Sequence, residues 1–217
     1  MPNRKMQGSH ESLIATLTGS DVLHTPEIIA AFRRVDRRWF VPPAVAEQAY
    51  ENIPLPIGFG QTISQPLTVA IMMELLQPHQ GDTCLDIGSG SGWVTALLAE
   101  LVGHRGRVVA LERIPQLVER TQQNVARFHY PHVTYHRGDG YQGWLQDAPY
   151  DHVHVAAASH ELPKALVAQL RIGGSLIIPI GDIVQELALI RKTGDTTFHE
   201  QRFPGFQFVP LIVSGQS

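Results

Sequence analysis

Leu85-Asp-Ile-Gly-Ser-Gly-Ser-Gly92 joins two stretches of different character. Before it, Gly81-Asp-Thr-Cys leads into a short β-type apolar run. After it, Trp93-Val-Thr-Ala-Leu-Leu-Ala99 carries a helical pattern. A strand, a turn with glycines at alternate positions and a helix make the opening of a nucleotide-binding βαβ unit. Glycine lets the backbone turn tightly and approach a ligand closely. The helix starting near Gly92 turns its free N–H groups toward the same spot. The spacing then narrows the ligand. A dinucleotide fingerprint needs G-x-G-x-x-G/A, and here Gly88 and Gly90 are followed at that place by Trp93.

Two further elements arrive in order. Arg107-Val-Val-Ala-Leu-Glu112 is an apolar run ending in a carboxylate, about 20 residues after the glycine turn, where an acidic side chain accepts from ribose hydroxyls. His136-Arg-Gly-Asp139-Gly140 follows the strand-like Val133-Thr-Tyr. Asp139 can hydrogen-bond an adenine amino group while Gly140 admits the ring. The G-x-G-x-G form after Asp86 resembles that of S-adenosylmethionine-dependent methyltransferases, and the three elements together favour an adenosyl site. Asp86 itself either orders the glycine turn or reaches the methionine portion of the cofactor.

Composition bounds the partners. The chain has 217 residues, 43% of them apolar, enough for one well-filled domain. A formal charge of −3 offers no basic patch, so nucleic acid is not an expected partner. The single cysteine, Cys84, cannot form an internal disulfide and reads as a buried small residue in a reducing compartment. No signal-peptide pattern and no apolar run of about 18 residues is present, which points to a cytoplasmic protein with no membrane partner. A monomer is expected.

Along the chain, residues 1–10 are polar and expected to be disordered. Thr25-Pro-Glu starts a helix, with Ile28, Ile29 and Phe32 as its apolar face. Residues 36–64 are rich in proline and glycine and expected to be extended or looping. Pro66 opens a second helix to about Leu76. From Asp82 onward strands (near 83–87, 107–112, 132–136, 151–156 and 175–180) alternate with helices (92–102, 114–127 and 162–171). Gly173-Gly174 is read as the stop of the last helix. The closing stretches at 186–190, 197–199 and 206–213 lack helical periodicity and read as strands. The expected fold is α/β: a Rossmann-like doubly wound, mostly parallel sheet with helices on both faces, at 81–217, carrying an N-terminal helical and loop extension at 11–80.

Longer blocks make a more specific match. Arg37-Arg-Trp-Phe-Val-Pro42, Ala49-Tyr-Glu-Asn-Ile-Pro-Leu-Pro-Ile-Gly-Phe-Gly-Gln-Thr-Ile-Ser-Gln-Pro66, Gly138-Asp-Gly140, Ala148 to Ala158, Gly173 to Gly181 and Phe208-Val-Pro-Leu211 together resemble the protein-L-isoaspartate O-methyltransferase family. The resemblance spans roughly residues 20–212, and Gly58 to Pro66 is its most specific part. It implies methyl transfer from S-adenosylmethionine to the free α-carboxylate of L-isoaspartyl residues in damaged proteins and peptides. It also implies Ser64 as the active-site serine. The implied cofactor contacts are Gln61, Thr62, Ile63 and Ser64, then Asp86, Gly88, Ser89, Gly90 and Gly92, with Glu112, Arg113, Asp139 and Gly140 completing the set. Substrate contacts are implied at Ile57, Phe208 and Val209, the last two through an extended pairing of backbone groups.

The chemistry suits these residues. An α-carboxylate, with a reference pKa of about 3.3–3.7, is ionised at neutral pH and needs no general base. The work is orientation and exclusion of water. A neutral donor such as Ser64, at the N-terminal end of the Pro66 helix, tolerates the anionic nucleophile. From the residues alone, capping the helix is the favoured role of Ser64 or Gln65, and the family motif turns the reading toward orientation. The eleven histidines raise the question of a metal. His152 and His154 share a strand face, but no second cluster with ligand spacing accompanies them, so no metal is expected. Where the family has an aliphatic residue, His154 reads as a buried, hydrogen-bonded histidine. Trp93 stands for the usual tyrosine beside the cofactor, and Ser159-His160 depart from the family pattern near the substrate end. Methylation of another carboxylate or small molecule, and a non-catalytic cofactor- or peptide-binding module, are the alternatives.

Overall fold

The computed structural model describes residues 8–212. The chain begins with α1 (His10–Gly19) and α2 (Pro26–Arg34), followed by 3-10 turns at Arg37–Phe40 and Pro43–Gln48. A hairpin of β1 (Leu55–Gly58) and β2 (Gln61–Ile63) leads into α3 (Pro66–Leu76). Then come β3 (Thr83–Ile87), α4 (Trp93–Val102), β4 (Arg107–Glu112), α5 (Pro115–Ala126), β5 (Val133–Arg137) and β6 (Tyr150–Val155). A short α6 (Lys164–Ala168) precedes β7 (Leu170–Ile180), β8 (Gln185–Lys192) and β9 (Phe198–Phe206).

Seven strands form one sheet in the order β5-β4-β3-β6-β7-β8-β9. The strands from β5 to β7 are parallel, and β8 and β9 are added antiparallel. The chain works outward from β3 to β5, then returns to place β6 on the other side of β3. At such a reversal the loops leaving the two strands diverge and open a crevice at their carboxyl ends. That crevice holds the Gly88–Gly92 turn on one side and Ala156-Ala157 on the other.

Alternation along the strands divides the core. Cys84, Val108, Val133, Ile177 and Leu187 face the layer built by α1 to α5, whereas Leu85, Ile87, Val109, Val153 and Ile178 face the opposite side. Helices cover both faces, unequally: among the described residues the second is closed by the short α6, with Leu162, Trp144 and Leu211 beside it. Each buried aliphatic side chain contributes about 1.5–3 kcal/mol. Leu13, Leu17, Ile28 and Phe32 belong to the same cluster as Cys84 and Ile177, so the N-terminal helices and the sheet share one core.

Three local expectations are corrected. Of residues 1–10, those at 8–10 are described and ordered. Ser9 caps α1 by accepting from Ser12 N while the Ser12 hydroxyl accepts from Ser9 N, a reciprocal box; residues 1–7 lie outside the described residues. The helix expected at 162–171 is only five residues long, because Gly173-Gly174 belong to a bulge. Tyr150 pairs with Leu170 and His152 with Ser175, and a Cβ on Gly174 would lie 2.9 Å from the Asp151 carbonyl oxygen. At the other end, β9 stops at Phe206 and 207–212 leaves the sheet, where a strand was expected from 206 onward. The amide of Gln185 accepts from Phe208 N at 2.7 Å and donates to Phe208 O at 3.2 Å, replacing a strand partner. Pro210 has no N–H and makes only an isolated bridge to Ala158.

Candidate functional site

The glycine turn is held from three sides. Gly88 and Ser89 donate to Leu111 O at 2.9 and 3.3 Å, and Gly90 N donates to the Glu112 carboxylate at 3.1 Å. From α5, Thr121 donates to Gly90 O and contacts the Ser89 hydroxyl, and Asn124 donates to Ser91 O. Gly92 adopts a φ of 92°, and a Cβ there would meet Val125 and Thr121 at 3.0 and 3.1 Å. Its role is to let α5 pack against the turn. Among the described residues no side chain caps α4, so the first N–H groups of that helix remain for a ligand.

Glu112 is 7% exposed. Its Oε1 accepts from Arg113 N and Ile114 N at 2.8 and 3.0 Å, and its Oε2 accepts from Gly90 N. A carboxylate offers about four acceptor sites, so Oε2 retains one toward the cleft. The cleft itself is lined by Gln61, Thr62, Ile63 and Ser64 from β2 and its exit, and by Gly88, Ser89, Gly90, Glu112, Arg113 and Gly140. Trp93 also lines it, and its indole donates to Val35 O at 3.3 Å.

Three of the expected contact residues, Asp86, Ile57 and Asp139, are not among those that line the cleft. Asp86 is fully buried and sits beneath α4. It accepts the Thr95 hydroxyl at 2.5 Å on one oxygen and meets His154 Nδ1 at 2.9 Å with the other. Strand alternation sends Leu85 and Ile87 to one face and Asp86 to the other, so its side chain points into the helical layer instead of past the strand end. Its partners tie β3 to α4 and β6 rather than to the glycine turn itself, and His154 has the buried partner expected of it. Ile57 is also buried, packing under Gly90, and its carbonyl accepts from Arg120. It lines neither the cleft nor the cavity beside it. Asp139 sits at the rim of the strand end, half-buried, with Oδ1 accepting from Tyr141 N at 2.9 Å.

A second cavity adjoins the first. Pro54, Thr62, Ser64, Gln65, Thr68 and Ala156 form one wall and residues 205–209 the other, including Phe208 and Val209. Thr62, Ser64, Ala156 and Val209 line both cavities and so mark their junction. The Ser64 hydroxyl makes no hydrogen bond to any described residue. It does not cap α3. That cap comes from Asn52, whose side-chain oxygen accepts from Leu67 N at 2.9 Å, while Gln65 Nε2 donates to Asn52 O at 3.0 Å. Ser64 is therefore left with a free donor where the two cavities meet.

Arg37 was not marked as functional by the sequence. It is completely buried, and its guanidinium donates to the carbonyls of Ala49 (2.8 Å), Glu51 (3.4 Å), Ile53 (2.9 Å) and Ser64 (3.1 Å). It also stacks 5.3 Å from the Trp93 ring centroid. No carboxylate pairs with it among the described residues, and burial pushes its pKa down to about 10. One arginine thus ties together the loop before β1, the residue at the cavity junction and the aromatic wall of the cleft. Asn52 was missed for the same reason: its partners lie at positions that local pattern does not connect.

A parallel sheet with a strand-order reversal, a glycine turn at that point and a carboxylate ending the next strand define a class I S-adenosylmethionine-dependent methyltransferase. Comparison with known proteins gives the family. Residues 8–216 match the family model for protein-L-isoaspartate(D-aspartate) O-methyltransferase, and the chain belongs to that family. It is 46% identical over 202 residues to protein-L-isoaspartate O-methyltransferase of Aeropyrum pernix, covering 92% of this chain and 78% of the relative. With the Staphylothermus marinus protein of the same name it shares 42% over 215 residues, 96% of each chain. The fold is similar to a crystal structure described as a Plasmodium falciparum protein-L-isoaspartate O-methyltransferase in complex with S-adenosyl-L-homocysteine. The TM-score is 0.83 at 27% identity, over 94% of this chain and 99% of that one.

Proposed function

We propose that this chain methylates the free α-carboxylate of L-isoaspartyl residues in proteins and peptides, with Ser64 as the residue that orients the carboxylate. The observation that carries the reading is the unengaged Ser64 hydroxyl at the junction of the two cavities. S-adenosylmethionine supplies an electrophilic methyl group when bound. The residues present fit it: a turn whose glycines hold φ values of 77°, 56° and 92°, an uncapped helix start, and a buried carboxylate with one acceptor site to spare.

Ser64 donates its hydroxyl to one carboxylate oxygen and leaves the other free to attack, and the dipole of α3 favours the anion at this end. The carboxylate is ionised already, so no residue has to remove a proton. Thr62, Ala156 and Val209 wall the junction and exclude water. Glu112 holds the ribose end, Arg113 and Gly140 border the adenosyl end, and Gln61 to Ile63 close over it. Peptide backbone is captured in the second cavity beside Val209, whose N–H has no partner among the described residues. The extension at 11–80 supplies Ser64 and the domain at 81–217 supplies the cofactor site, so the two work as one unit. A cytoplasmic monomer without nucleic-acid or membrane partners is part of this proposal. Among the described residues no helix is long and apolar enough to cross a membrane.

Calorimetric titration tests the cofactor half. S-adenosylhomocysteine should bind and NAD should not. Glu112→Ala should weaken that binding by about 1.5–3 kcal/mol, the range for a hydrogen bond to a charged group. Tight NAD binding would overturn the reading.

A further inference from the structure

At the amino end of the sheet, away from the cleft, His79, Asp82 and His152 bring one ligand-type atom each to within 4.8 Å of one another. His79 lies in the loop between α3 and β3, Asp82 just ahead of β3, and His152 on β6, where it pairs with Cys84. His152 Nε2 is 3.0 Å from Asp82 Oδ2. The His79 ring is exposed and has no partner among the described residues. No lysine or arginine pairs with Asp82 among the described residues.

We propose that His79, Asp82 and His152 form a binding site for a divalent transition metal of the zinc type, separate from the methyl-transfer cleft. Two imidazoles and one carboxylate select such ions over magnesium or calcium, which take oxygen ligands. Zinc holds such ligands at about 2.0–2.2 Å, which sets neighbouring donors about 3.4 Å apart at tetrahedral angles. The Asp82–His152 pair is already near that separation, and the exposed His79 ring needs only side-chain rotation to close. Water would take the fourth position.

The geometry also limits the affinity. His152 Nδ1 is buried without a partner, so the proton it must carry when Nε2 binds metal has no acceptor. The site should bind about 10–100-fold more weakly than one whose histidine has such a partner. The ion would tie the loop before β3 to β6. Asp82 and the glycine turn are separated by the length of β3, roughly 20 Å, so the ion acts on stability and leaves the chemistry alone.

The test uses the full chain, freed of metal by chelation, with Zn(II) and Co(II) as probes. Calorimetry should show one site, and Co(II) should give the visible absorption of a four-coordinate ion. Zn(II) at about 100 times its Kd should raise Tm by roughly 5–10 °C. His79→Ala changes an exposed loop residue and should fold normally, yet bind about tenfold or more weakly and lose the Tm shift. Asp82→Asn should behave alike, and methyl-transfer rates should be the same with and without metal. Absence of binding overturns the proposal. So does a Tm shift that persists in His79→Ala, because the ion would then sit on other histidines.

Discussion

Arg37 Nη2 donates to the carbonyl oxygen of Ser64 at 3.1 Å from a side chain with no exposed surface. The same group holds the carbonyls of Ala49, Glu51 and Ile53, so the segment carrying Ser64 is fixed from behind by one cation. A lysine has one compact ammonium and cannot reproduce a planar fork that reaches four acceptors. Arg37→Lys should therefore cost about 2–4 kcal/mol of stability. At temperatures where the variant remains folded, kcat should fall more than affinity for S-adenosylhomocysteine. Equal kcat in the folded variant would make Arg37 a purely structural residue.

Ser64 and Asn52 separate orientation from capping. Ser64→Ala removes a hydroxyl that bonds to no described residue, so Tm should change little. Loss of one preorganised donor costs about 10²–10³ in kcat where charge develops. Here charge is neutralised as the methyl moves, and the expected loss is smaller, on the order of tenfold. Asn52→Ala should do the reverse, costing about 1 kcal/mol through the lost α3 cap with a smaller effect on rate. A lowered Tm and unchanged rate for Ser64→Ala would contradict this division.

Gln185 is the handle on substrate capture. Its amide satisfies both backbone groups of Phe208, and Ala158 N donates to Val209 O at 2.8 Å. The Phe208 N–H is therefore engaged, while the second lone pair of Phe208 O and the Val209 N–H are the groups left to pair with a peptide. Gln185→Leu should loosen this wall and raise KM for an isoaspartyl peptide several-fold, with cofactor affinity unchanged. An unaltered KM would move recognition elsewhere, with the Ser159–His160 loop next in line.

Glu74 gives the acid limb of stability. Its carboxylate accepts from His24 N at 2.9 Å, Thr25 N at 2.8 Å and the Thr25 hydroxyl at 2.6 Å, tying α3 to the segment that leads into α2. Desolvation pushes its pKa up, but the hydrogen bonds from Thr25 and His24 outweigh it and hold it below the ordinary 4.5. A carboxyl whose pKa is lower in the folded state contributes stability that is fully present above the unfolded value. That stability is lost as pH falls through the folded one. Glu74→Gln should lower stability at pH 7 by about 1–2 kcal/mol and flatten the decline below pH 4.5. Denaturation midpoints measured from pH 7 to 3 decide it, and parallel curves would contradict the assignment.

The cleft proposed for the cofactor was legible because its signals are local. Gly88 to Gly92, Glu112 and Gly140 sit at strand ends in a fixed order, and pattern plus spacing finds them. Ser64 was ambiguous from local pattern, because a serine before Pro66 is also a good helix cap. Only the loop contact of Asn52 with Leu67 N resolves it. Asp86 was legible as the acidic residue before the turn, but its direction depends on which face of β3 meets α4. Gly173-Gly174 read as a helix stop because a bulge and a stop use the same residue type, and the deciding fact is the Asp151 carbonyl across the sheet. Arg37 could not be found at all, since its acceptors are backbone carbonyls 12 to 27 positions away.

The most direct measurement is the initial rate of labelled methyl transfer from S-adenosylmethionine to two peptides that differ only in carrying isoaspartate or aspartate. Wild type should form a methyl ester on the isoaspartyl peptide alone, and Ser64→Ala should do so about tenfold more slowly with the same preference. Equal transfer to both peptides, or none to the isoaspartyl one despite tight S-adenosylhomocysteine binding, would contradict the account.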